Sequence, residues 1–274
     1  MNNPNTSLVS QMLSNRKKEI VYGKYEREVA LAKQFFKYLG VYGLLASGLR
    51  SLEKRIIKPP LFRSELVKLP MANFLINWFG GNIGQETDAN SGFLGFGLLH
   101  YTLINLLKPD RILCIGSQKG YIPAVCAMAC RDNGKGIVDF VDAGKNEHES
   151  NSWGGIGFWK KTSPKKHFSL ADIEMYINTY VMDSEQFAEA SKKTYGYIYI
   201  DGDHSFKGVS RDYSMFWPKL EKGGIMCFHD ITLKGKANSG EYGVWKLWKQ
   251  LETKHNHKIS IILRQNGIGI LQKK

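Results

Sequence analysis

Residues 197–208 read YIYIDGDHSFKG, an apolar and aromatic run that stops abruptly at Asp201, Asp203 and His204. A strand ending in groups that are costly to desolvate has two readings. Asp-Gly is ordinary turn chemistry. Equally, ligands of open α/β sheets bind just beyond the carboxyl ends of the strands.

Working outward, apolar runs of four to eight residues alternate with helical patterns after Pro109, the signature of parallel βαβ units. The pattern predicts strands at 111–115, 136–141, within 173–182, at 197–200 and at 224–228. Helices are expected over 121–130, 185–193, 209–220 and 244–254. Two closing strands, 259–264 and 267–271, flank a QNG turn, which implies an antiparallel strand at one edge of a mostly parallel sheet. Upstream, SGFLGFGLLHYTLINLL reads as a helix ended before Pro109. Residues 16–52 are rich in helix formers up to the break at Pro59-Pro60.

Every predicted strand end carries chemistry. The first runs into IGSQKGY, where Gly116 and Gly120 let the backbone turn sharply and a ligand approach closely. A dinucleotide fingerprint would place a second glycine at Gln118, which weakens a nicotinamide reading. The second strand ends in Asp142, where a carboxylate can accept from both hydroxyls of a ribose or cap a helix. The third ends in Asp183-Ser184, which an N-cap also explains. The fifth ends in His229-Asp230. Neighbouring parallel strands would set Asp201 beside Asp230, and two carboxylates there need a proton or a cation between them. His204 could then take a proton from a substrate hydroxyl.

The chain of 274 residues is 43% hydrophobic and 23% charged, as expected of a soluble globular protein with one sizeable domain and an extension, or with two small domains. Cys114, Cys126, Cys130 and Cys227 lie in apolar segments without CxxC spacing and read as core thiols of a reduced compartment. With no signal-peptide core and no apolar run of spanning length, a cytoplasmic location is the expectation. The net charge of +13 is uneven: residues 1–70 hold thirteen Lys and Arg against five Glu. That stretch could meet an anionic membrane surface, phosphate or a second subunit, or be a solvated face. The insertion NSWGGIGFWKKTSPKKHF places Trp153, Phe158 and Trp159 among glycines, as a lid over a flat or sugar-like ligand would.

The segments RILCIGSQKGYIPAV, YVMDSEQF and YIYIDGDHSFKGVSRDYSMFWPKLEKGGIMCFHD resemble class I S-adenosylmethionine-dependent methyltransferases, in the branch of macrocin-type small-molecule and sugar O-methyltransferases. The resemblance spans residues 90–270. It implies an α/β, Rossmann-like sheet of seven strands with an antiparallel last strand. It also implies a methyltransferase domain at 86–274 behind a basic helical extension at 1–85. By that likeness Gly116, Ser117 and Gly120 would hug the methionine part of S-adenosylmethionine, with Tyr121 also binding the cofactor. Asp142 would bind the ribose, and Asp183 with Ser184 would lie by the adenine. Asp201, His204 and Asp230 would be catalytic, His204 as general base. A divalent magnesium or manganese ion would sit on Asp201, His229 and Asp230. Two positions depart from the pattern: Cys114 stands where many relatives have an acid, and His229 replaces one acid of a pair. Manganese or iron tolerates imidazole better than magnesium does, and a metal-free site stays open.

The implied acceptor is a hydroxylated small molecule or glycan, and a homo-oligomer is compatible. A nicotinamide-dependent oxidoreductase of the same fold class is opposed by Gln118 and by the lack of a Tyr-x-x-x-Lys pair. A non-catalytic protein docking its basic front on membrane or nucleic acid is the third reading. Nucleic-acid methylation is disfavoured because no NPPY-type tetrapeptide occurs.

Overall fold

A computed structural model describes residues 69–274, except 146–152, 154–156, 238–239 and 264–265. The expected helices of residues 16–52, the basic stretch before residue 69 and the first residue of the QNG turn lie outside the described residues.

The described chain runs α1 (Leu69–Phe79), α2 (Phe96–Leu107), β1 (Arg111–Ile115), α3 (Tyr121–Asn133), β2 (Ile137–Asp142), α4 (Pro164–Ser169), β3 (Ile177–Val181) and α5 (Ser184–Ala190). It continues through β4 (Tyr195–Ile200), α6 (Phe206–Phe216), β5 (Leu220–His229), the short hairpin β6 (Lys236–Ala237) and β7 (Gly240–Glu241), α7 (Val244–Lys254), β8 (Lys258–Ile261) and β9 (Ile268–Gln272). The sheet order is β3-β2-β1-β4-β5-β9-β8. The first five of these strands pair in parallel, and β9 is antiparallel to both its neighbours. The last strand therefore lies one place in from the edge, with β8 outside it.

Period-two alternation builds two cores, because consecutive strand residues face opposite sides. Ile112, Cys114, Tyr197 and Tyr199 join α1, α2 and α3 on one face. Leu113, Ile115, Ile198 and Ile200 join α5, α6 and α7 on the other. The four cysteines are all buried and free, as read from their apolar segments.

Helix α1 precedes the expected domain boundary at residue 85 and packs on the sheet. The segment LPMANFLINWF buries Ala72, Leu75, Ile76 and Phe79 against the first core. The turn after it reaches the strand ends: Gln85 Nε2 donates to Asp201 Oδ2 at 3.2 Å. Residues 69–85 thus form one packed unit with the sheet. The strand and helix limits otherwise differ from expectation by a few residues, and α7 matches at both ends.

Candidate functional site

The parallel registers align the strand tips in one rung. Ile115 pairs with Val141 and with Ile200, and Ile200 pairs with Phe228. The next residues, Asp142, Gly116, Asp201 and His229, therefore stand side by side at the carboxyl edge. Gly116 has φ 71°, and a Cβ there would lie 2.2 Å from the Asp201 carbonyl oxygen, so only glycine fits. Gly120, at φ 89°, leads into α3, whose amino end faces the same edge.

Consecutive side chains of a strand normally point to opposite faces. Asp230 breaks that rule with φ 62°, a left-handed conformation that lets it reach the same centre as His229. Four ionisable groups meet there. His229 Nδ1 lies 3.0 Å from Asp201 Oδ1 and 3.1 Å from Asp230 Oδ1. His204 Nε2 is 3.5 Å from Asp201 Oδ1, and its Nδ1 is 2.9 Å from Asp230 Oδ2. Burial alone would raise both carboxyls; the imidazoles beside them hold both below the ordinary carboxylate range. Burial alone would lower both imidazoles; the two carboxylates raise them well above their usual value. The rim is a near-neutral tetrad of two anions and two cations. It follows that His204, charged and turned on two carboxylates, is not a ready base in this state.

The tetrad borders a cavity of about 360 Å³. Ser117, Gln118 and Tyr121 line one side, and Gly80, Asn82, Gly84, Gln85, Leu233, Tyr242 and Asn266 complete it. Tyr121 serves as wall, since its hydroxyl is spent on the Leu94 carbonyl at 2.7 Å. Trp153 stacks on His204, with ring centroids 5.0 Å apart at 17°, and packs on Tyr242 at 4.8 Å. The expected aromatic lid therefore divides. Trp153 covers the rim, whereas Trp159 is buried against Phe140 and Phe168 and belongs to the core.

The remaining expected binding residues differ in how free they are. Asp142 Oδ1 accepts the Gly144 N–H at 2.8 Å, its one donor among the described residues. Burial raises its carboxyl to about 6, the Gly144 N–H opposes this and Asp201 adds to it. Asp183 is engaged locally: it is the N-cap of α5, in a capping box with Gln186, and Lys145 Nζ lies 2.6 Å from its Oδ1. Ser184 Oγ donates to Asp212 Oδ1 at 2.6 Å. Sequence reasoning missed Asn82, Gln85 and Asn266, because they come from segments without a strand-end pattern.

The fit of a divalent ion can be tested on the donors. One ligand atom each from Asp201, His229 and Asp230 lies within 4.8 Å of the others. Yet Asp201 Oδ2 already accepts from the Tyr199 hydroxyl at 2.8 Å and from Gln85, and Asp230 Oδ1 accepts from Asn266 Nδ2 at 2.5 Å. With both imidazoles also turned on these carboxylates, the expected metal set is brought together but its donors are already engaged. The arrangement does not fit a bound ion.

Comparison with known proteins agrees with the fold. Residues 113–231 match a family model described as Methyltransferase domain. An uncharacterized protein, y4gI, of Sinorhizobium fredii (strain NBRC 101917 / NGR234) is 22% identical over 169 residues, 60% of this chain and 17% of its own length. The chain thus spans about a sixth of that curated relative. Among solved structures, the O-methyltransferase TomG of Streptomyces achromogenes, involved in tomaymycin synthesis and crystallised with SAM, is 14% identical with a TM-score of 0.52, over 82% of this chain and 96% of that one. The SAH-bound methyltransferase PaMTH1 of Podospora anserina is 12% identical with a TM-score of 0.50, over 84% and 96%. No described helix is long and apolar enough to cross a membrane.

Proposed function

With the class I methyltransferase fold and a Methyltransferase domain match at residues 113–231 as premise, we propose that this chain transfers the methyl group of S-adenosylmethionine to a hydroxyl of a small molecule or glycan. The observation that carries this reading is the rung of Asp142, Gly116, Asp201 and His229 beside a cavity bordered by His204. S-adenosylmethionine supplies a methyl already activated on a sulfonium. The chain's own task is then mainly alignment of acceptor oxygen, methyl carbon and sulfur in a line.

Gly116 and Ser117 give the close backbone approach at the methionine end, and Asp142 keeps Oδ2 for the ribose. As the C–O bond forms and the C–S bond breaks, the sulfonium becomes a neutral thioether and the hydroxyl proton must leave. His204 is the more exposed of the two histidines lining the cavity, its side chain 22% exposed against 5% for His229. It accepts that proton only after releasing its own, so turnover rises as pH climbs above neutrality. Trp153 and Tyr242 present flat surfaces over His204, suited to a ring-shaped acceptor.

The test is calorimetry with S-adenosylmethionine, S-adenosylhomocysteine and NAD. Binding of the first two without NAD is expected; binding of NAD alone would instead favour the oxidoreductase reading. Replacement of His204 by Ala should lower turnover about 10²–10⁴-fold and leave cofactor affinity nearly unchanged. A large affinity loss with normal turnover would count against the assignment.

A further inference from the structure

His229 links the ends of β4 and β5 to the turn after α1. Its Nε2 lies 2.8 Å from the carbonyl oxygen of Gly84, 145 residues away in sequence. A carbonyl only accepts, so that nitrogen carries a hydrogen. Its Nδ1 faces one oxygen of Asp201 and one of Asp230, at 3.0 and 3.1 Å, and carboxylate oxygens also only accept. The ring is buried and meets Phe96 edge-on, with centroids 6.0 Å apart at 81°. Three of the four rim carboxylate oxygens face an N–H or O–H group, and the fourth, Asp230 Oδ2, has His204 Nδ1 at ion-pair distance without a hydrogen bond. Asp201 Oδ2 has Tyr199 and Gln85, Asp201 Oδ1 has His229, and Asp230 Oδ1 has Asn266 and His229.

We propose that His229 is a positioning residue that takes the place of a divalent cation, drawing Asp201 and Asp230 together and tying both to the Gly84 carbonyl, so that the rim assembles without a metal. This rests on the rim geometry and deepens the methyltransferase reading without depending on it. The rival arrangement is specific. A neutral imidazole with one N–H on a backbone carbonyl is also how a metal ligand is oriented, with the ion at the other nitrogen. The two differ in what Nδ1 holds, and that is measurable.

The decisive experiment uses the full chain. Elemental analysis of protein purified without added metal should find substoichiometric divalent metal. Its thermal transition should move by no more than about 1 °C on adding magnesium, manganese or chelator. Histidine ¹⁵N spectra should show hydrogens on both His229 nitrogens, before and after chelation. His229→Asp restores an oxygen pair, and its thermal transition should then rise by several degrees with manganese, a response the parent lacks. Stoichiometric metal in the parent, a chelator-sensitive transition, or an Nδ1 without hydrogen would overturn the proposal. Should His229→Asp not fold, the metal analysis and spectra of the parent decide alone. None of these readouts involves methyl transfer, so failure of the catalytic reading stays separate.

Discussion

Two buried carboxylates stand at opposite ends of the same parallel sheet, and their surroundings could hardly differ more. Asp139, near the amino ends of the strands, has no exposed side-chain surface. Lys193 Nζ holds it at 2.9 Å, with Asn178 Nδ2 at 3.1 Å and the Tyr180 and Tyr195 hydroxyls at 3.3 Å. Burial pulls the Lys193 ammonium down, but Asp139 beside it leaves it above its ordinary value, so the ammonium keeps its charge. Asp201, at the other end, is paired with imidazoles beside a cavity. Burial therefore does not separate a structural carboxylate from a reactive one. The setting does: the ammonium on Asp139 is packed among Asn178, Tyr180 and Tyr195, whereas an imidazole on Asp201 borders a cavity from which a ligand can draw its proton.

The sharpest way to break this contrast is to neutralise each carboxylate in turn. Asp201→Asn should lower turnover about 10²–10⁴-fold, out of proportion to any change in its thermal transition. Asp139→Asn leaves Lys193 without its anion and should cost about 1–3 kcal/mol in urea unfolding, with activity per folded molecule unchanged. If both variants lost stability alike and kept activity, the rim would be structural too.

Glycines at the two ends give a second pair. Gly116→Ala drives a Cβ into the Asp201 backbone at a left-handed φ, and it should unfold the rim or abolish soluble expression. Gly134 ends α3 with φ 62° and nothing within 4 Å of an added Cβ. Gly134→Ala should therefore cost only the conformational penalty, about 1–2 kcal/mol by chemical denaturation. Comparable melts for the two would show that Gly116 is tolerant and the strand tips loosely held.

How much of this contrast was legible in the sequence depends on the distance over which each residue acts. The parallel strands were readable because strands buried on both faces are continuous apolar runs, and their abrupt polar ends marked the reactive edge. The antiparallel last strand followed from the QNG turn, but not its place inside β8. Helix α1 was missed although Ala72, Leu75, Ile76 and Phe79 recur at helical spacing opposite Asn73 and Asn77, because the pattern lasts only eleven residues and apolar Phe74 and Trp78 interrupt its polar face. Gln85 and Gly84 act on residues 116 and 145 positions away, and no local pattern records such a contact. His229 looked like a substituted metal ligand. The left-handed Asp230 and the Gly84 carbonyl, neither visible in one dimension, recast it as a bridge.

The two tryptophans of the 153–160 segment carry the comparison to a smaller scale. Trp153→Ala should raise the acceptor KM about tenfold by removing the surface stacked over His204, with little change in melting. Trp159→Ala should cost about 3–5 kcal/mol of stability, as emptying a core site does. Equal effects on KM would mean that the lid reading holds for both after all.

The mildest expected effect concerns Asp142, whose carboxyl stands at about 6 instead of the ordinary 3.8. Because burial raises it, this group favours the empty fold fully below its ordinary value and loses that contribution as pH rises through about 6. Cofactor affinity runs the other way, since the ionised form accepts both ribose hydroxyls and the protonated form cannot. Calorimetry should find S-adenosylmethionine bound about tenfold more weakly at pH 5 than at pH 7, and Asp142→Asn should bind weakly but without that slope. A parent with no slope would place the ribose away from Asp142. It would leave β2, unlike β4 and β5, outside the reactive edge.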